Sequence, residues 1–404
     1  MPASAAAREP LLTAPFLRLW SFSFLAFFAA FQLFPTIPFR ILELGGTRAT
    51  AGSFLAVYTW ASALSAPLTG AVADRFGRRR VLLAAGWAFV AASVAYGAAT
   101  SLPLLLAAAV AHGVFWSGLL SASGALIAEV IPLSRRTEGL GYWGVAPTAA
   151  IAVAPAVGLW VYGFGWRAVT WEVAGLSLVL VALAAAVREG VGPARAPAGE
   201  PLVSWRVIAS ASGILVTAFG YGGITSYVAL LSIERHIDPP SLFFTLFAVT
   251  VVLGRLLLVR HADRRRPEVL LYPSLLAIPP ALALLAVASS RLSLAASAVL
   301  FGLGMSGAYP AFMTWVLGRT APERRGATFG SVLLAMDAGI GLGSLTIGQL
   351  AEAAGYRGAF LAAAAVALLA VPLFLLARRL LPAAPPSEAA IPPPPPARHP
   401  QATR

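Results

Sequence analysis

The sequence predicts an all-α membrane protein whose twelve transmembrane helices form two parallel six-helix repeats. Three observations carry that prediction. The 404 residues are 59% apolar and only 11% charged, against about 25% charged in soluble domains. Apolar stretches recur at the length, about 20 residues, that a helix needs to cross a hydrocarbon core. Charge is confined to the connectors between them. A β-barrel is not expected, because its spans are about ten residues of alternating pattern.

In the first span, 17–39, the apolar stretch after Arg18 runs too long for a secretory leader and is not followed by a small-residue cleavage site. The second, 51–73, runs into "GAVADRFGRRR", and 80–99 begins where those arginines end. Spans 103–129 and 139–162 flank Arg135 and Arg136, and 168–187 follows the turn "GWR". An arginine-bearing linker, 188–206, separates this half (1–187) from the next (207–380). There the spans are 207–232, 240–260, 268–288, 293–317, 327–350 and 358–378. Glycine and proline inside them are tolerated in membrane helices and allow close packing. The tail, 381–404, contains "IPPPPPARHP" and reads as disordered.

The basic residues orient the chain. All 29 are arginine. Twenty-two lie in one set of alternate connectors and the termini, six in the other set, and Arg255 sits inside a span. By the positive-inside rule both termini and the Gly70–Arg80 loop are cytoplasmic. The net charge of +13 is thus a topology signal, and nucleic acid is not an expected partner. Without lysine there is no Walker-type phosphate loop, and without cysteine no disulfide or thiolate metal site. No His/Cys/carboxylate cluster has metal-ligand spacing, so neither metal nor cofactor is expected. An enzyme would need polar catalytic groups gathered at one membrane face, and none is found.

Sliding the chain by 189 residues aligns its halves. Asp74 falls on Asp263, Gly113 on Gly302, Ser117–Gly118 on Ser306–Gly307, and Arg135–Arg136 on Arg324–Arg325. One residue later "GWR" at Gly165 meets "GYR" at Gly355.

Two six-span repeats with Gly70, Asp74, Arg75, Gly77, Arg78 and Arg79 after span 2 resemble the major facilitator superfamily over essentially the whole chain. "HGVFWSG", "RRTEGLGYWG", "AGIGLG" and "GYRGAF" resemble its bacterial branch of sugar-efflux-like and opine-metallophore exporters. The antiporter signature of span 5 is partial ("APAVGL"), and Ala109 stands where drug/proton antiporters commonly carry arginine. The resemblance implies a bacterial inner-membrane location, alternating access, efflux by proton antiport, and a cytoplasmic gating motif of Gly70, Asp74, Arg75, Gly77 and Arg78. Asp74 would latch onto span 11 of the other half when the site faces outward. An importer or uniporter of a sugar-like or organic-anion solute is the alternative. Expected partners are a small, partly apolar solute, protons and lipids, with the chain acting as a monomer.

Ionisable groups inside spans are costly and point to function. Asp337, near the midplane, and Arg255 are the candidates for proton coupling, or else a static pair, though their depths differ by roughly 9 Å. His112 is mid-membrane: either a titrating cavity residue or a neutral core histidine. Gln32, Trp116, Tyr221, Tyr227 and Tyr309 lie on spans that, by the resemblance, surround a central cavity; packing between helices is the other reading. Glu129 is placed to pair with Arg135, and Glu172 with Arg167.

Overall fold

The computed structural model describes residues 9–187, 205–262, 267–320 and 325–381. Most of the linker, Asp263 and the tail from 382 lie outside the described residues. The first repeat comprises α1 (Ala14–Glu43), the short α2 (Arg48–Ala51), α3 (Ser53–Phe76), α4 (Arg78–Ala98), α5 (Leu102–Val130), α6 (Arg136–Tyr162) and α7 (Trp166–Ala185). The second comprises α8 (Trp205–Ser210), α9 (Ser212–Glu234), α10 (Leu242–Ala262), α11 (Pro267–Val287), α12 (Arg291–Leu317), α13 (Arg325–Leu368) and α14 (Ala370–Leu380). Helix α8 starts at Trp205, so Trp205 and Arg206 are helical rather than connecting chain.

Twelve spans result among the described residues, because α13 breaks at Gly355 and its second part makes the last span together with α14. Its helical hydrogen bonding runs on through Gly355, but that residue has φ 67° and ψ 172° and breaks the axis. Its counterpart Gly165, which opens α7, has φ 100°. A side chain at either place would be strained, so the two copies turn at the arginine-poor face by the same device.

The repeat is also written into helix packing. A Cβ on Gly113 of α5 would strike the carbonyl oxygen of Tyr58 on α3. One on Gly302 of α12 would meet Thr250 Cβ at 2.8 Å and the carbonyl oxygen of Phe247 on α10 at 3.2 Å. Tyr58 and Phe247 are themselves 189 positions apart. Small residues at such crossings let backbones approach where lipid supplies no hydrophobic drive between helices. Arginine does matched work as well. Arg40 Nη2 donates to the Ala99 carbonyl at 2.9 Å, and Arg235 Nη1 to that of Ala288, the repeat partner of Ala99, at 2.6 Å. Arginines that defy the charge asymmetry thus satisfy chain ends that membrane-facing helices would otherwise leave open.

The two halves are joined at the arginine-poor end. Arg48 pairs with Glu234 at 2.7 Å and lies over the Tyr356 ring. The Arg48 carbonyl accepts from Tyr227 Oη at 3.0 Å, and the Gly52 carbonyl accepts from Ser344 Oγ at 2.8 Å. The Ala49 amide reaches Glu352 at 3.4 Å. A Cβ on Gly348 would collide with the Tyr227 hydroxyl, so α2 is set tightly between α9 and α13. Toward the arginine-rich end, Leu64, Leu68 and Phe76 of α3 are exposed.

Candidate functional site: the mid-membrane seam

The seam between the halves carries polar groups at mid-depth. Asp337 lies about 18 Å along α13 from its arginine-rich end. Its carboxylate faces the Ser62 hydroxyl of α3, in the other half, and lies within electrostatic reach of Tyr58 and Tyr309. Arg255 of α10 crosses in the opposite sense: its Nη1 donates to Thr148 Oγ1 of α6 at 2.7 Å. Arg255 also lies within electrostatic reach of Tyr309. Among the described residues it makes no ion pair with Asp337; the group that faces it is Thr148, which sits in α6 where Asp337 sits in α13.

The other candidates scatter around this seam. Trp116 stacks edge-on to Phe27 at 4.7 Å and lies 6.1 Å from the Tyr58 ring. His112 is enclosed within the first half by Tyr58 and Phe89, with Nδ1 3.1 Å from Tyr96 Oη. Its Nε2 is buried without a partner among the described residues. Tyr221 packs against Phe247 and Phe301 of its own half. Tyr227 serves the closed end. Gln32 is fully buried and its Nε2 meets Glu172 Oε1 at 3.4 Å. Glu172 therefore turns inward to α1, not along its helix to Arg167.

The Gly70–Arg80 motif stays within its own half. Gly77, with φ 95°, ends α3 and starts α4 in a conformation that favours glycine. Arg78 pairs with Glu129 of α5 and holds Asp74 at 3.8 Å. Arg135, expected to take Glu129, instead forks onto Glu138 at 2.7 and 2.9 Å. Asp74 is half-exposed, and Arg75 lies over the Phe76 ring. A Cβ on Gly70 would meet only Ser121 Oγ, at an ordinary 3.9 Å.

Sequence reading missed Thr148, Ser62 and Tyr58. Thr148 was findable, since the offset that pairs the halves puts it on Asp337. A cleft of ≈ 470 Å³ lined by Arg40, Ala99, Trp166 and Arg167 lies at the arginine-poor end of the first half, away from the seam.

Twin six-helix repeats meeting along a polar seam define the architecture of a membrane transporter. The chain belongs to the Major Facilitator Superfamily, whose family model matches residues 19–278 and 211–402. It is 29% identical over 294 residues to a chloramphenicol resistance protein of Streptomyces lividans, covering 68% of this chain and 74% of that one. It is 25% identical over 346 residues to an uncharacterized MFS-type transporter of Burkholderia mallei (strain SAVP1), covering 82% and 84%. Among solved structures it resembles a bacterial homolog of the human lysosomal transporter Spinster, inward-facing and occupied. That match has TM-score 0.76, 17% identity, and coverage of 90% and 96%. The nucleoside transporter NupG matches at TM-score 0.69 and 15% identity, covering 90% and 99%.

Proposed function

We propose that this transporter exports a small, partly apolar organic solute across the bacterial inner membrane in exchange for protons. The halves 1–187 and 207–380 rock about the seam as alternating access requires. With the arginine-rich face cytoplasmic, closure at the other face makes this the inward-open state. Asp74, held here by Arg78 at 3.8 Å, is then one half of a latch that engages the start of α13 when the site turns outward. The observation that carries the reading is Asp337, a carboxylate at mid-depth where the halves meet. Charge there is costly and functional by default; Asp337 takes a proton on one side and releases it on the other.

The test uses purified protein in liposomes holding a pH-sensitive dye. A pH gradient is imposed and solutes are added, beginning with chloramphenicol because of the Streptomyces lividans relative. Solute-dependent proton flux that Asp337→Asn abolishes is the expected result. Solute movement indifferent to the gradient and to the substitution would make the protein a uniporter and Asp337 structural.

A further inference from the structure

Arg255 is a cation inside a span with no anionic partner among the described residues. Among the described residues its guanidinium has one hydrogen-bond partner, the neutral Thr148 Oγ1, although it carries five N–H donors. Its Nε is buried with no acceptor, and no described carboxylate pairs with it. A guanidinium held in low dielectric calls for a compensating negative charge. Asp337 is set against Ser62 instead, and both charges act on Tyr309. The phenol of Tyr309, in reach of both charges, can donate to an acidic group placed at Arg255.

We infer that the missing anion is supplied by the solute: the seam recognises an amphipathic organic acid whose carboxylate-class group docks on Arg255, with Thr148 and Tyr309 fixing its position. This rests on the seam being the transport site and narrows the solute to acids. Arginine suits the task because its planar fork matches a carboxylate geometrically. The apolar part of the solute faces the aromatic side chains beside Asp337, Tyr58 and beyond it Trp116. Exchange of one monoanion outward for one proton inward moves charge in one electrical sense, so an inside-negative potential accelerates it.

The test measures equilibrium binding to the purified full-length protein, with no gradient. The probes are 4-phenylbutyrate, its neutral amide 4-phenylbutyramide and the cationic 4-phenylbutylamine. The acid is expected to bind at least about tenfold more tightly than either relative, the usual scale for a charge-assisted contact. Arg255→Gln should remove that preference, while Arg357→Gln, at an exposed arginine away from the seam, keeps it. If Arg255→Gln does not fold, Arg255→Lys and Tyr309→Phe carry the test, each weakening the acid several-fold and more than it weakens the amide. Equal binding of acid and amine, acid binding untouched by these substitutions, or no binding of any probe overturns the proposal. Acid binding without proton flux would sink antiport and leave this inference standing. Proton flux driven by the amine alone would do the reverse.

Discussion

Thr148 and Asp337 occupy the same place in the two repeats, 189 residues apart, and each meets a residue of the opposite half. Thr148 accepts from Arg255; Asp337 faces Ser62. Two equivalent helix crossings, α6 with α10 and α13 with α3, thus carry different chemistry.

That equivalence makes Thr148→Asp an informative substitution. It would give Arg255 a fixed counter-ion inside the protein. We expect a static pair, thermal stability raised by about 1 kcal/mol or more, and transport slowed at least tenfold. Thr148→Val should instead lose a hydrogen bond to a charged group, about 1.5–3 kcal/mol. Thermal unfolding and liposome flux measured on both variants check the pair of outcomes.

The closed end offers a conformational test. Arg48 and Glu234 are each nearly half-exposed, so breaking their pair by Glu234→Gln should shift the open–closed balance by only about 1 kcal/mol or less. Gly348→Leu should act far more strongly, because its side chain would displace the Tyr227 hydroxyl and force α2 out of its notch. The chain has no cysteine, so Ala49→Cys with Glu352→Cys gives a clean crosslinking readout. Crosslinking should persist in the Glu234→Gln background and fall sharply with Gly348→Leu.

Substitutions in the Gly70–Arg80 motif should separate folding from transport. Asp74→Asn removes only a 3.8 Å contact with Arg78 in this state, so thermal stability should barely change while transport falls. Gly77→Ala should cost about 1–3 kcal/mol, the strain of a glycine-favoured backbone. Gly70→Leu meets little here and should fold normally, yet obstruct approach of α13 and slow turnover. A loss of folding in Gly70→Leu would contradict the latch.

The repeat predicts unequal costs at equivalent glycines. Gly113→Ala drives a methyl group into the Tyr58 backbone, whereas Gly302→Ala presses first on the Thr250 side chain. Overpacking typically costs about 1–3 kcal/mol, and Gly113→Ala should be the more damaging of the two. Unfolding midpoints of the two variants, measured side by side, decide it.

Much of this architecture could be read before any coordinates. Span length, the arginine asymmetry and the 189-residue offset gave twelve helices in two copies, and Gly165 and Gly355 turned out to share one backbone device. Side-chain partners were less legible. Sequence distance suggested Glu129 with Arg135 and Glu172 with Arg167, but each acid turns to another helix, to Arg78 and Gln32. Which way a residue faces depends on helix rotation and tilt, which a nearly all-apolar helix does not encode. The same limit separated Arg255 from Asp337. The facing neighbour of each belonged to the other half.

Arg255 and Asp337 both ride on the second repeat, and their counterparts in the first, Ala66 and Thr148, are uncharged. In a rocking cycle of two bodies, the gap between the two charges therefore stays constant. What changes is the surface each one slides against: a neutral wall of Thr148 and Ser62 whose hydroxyls come and go. Such a transporter carries its ionisable groups at a fixed spacing on one wall, and the other wall acts as a dielectric shutter.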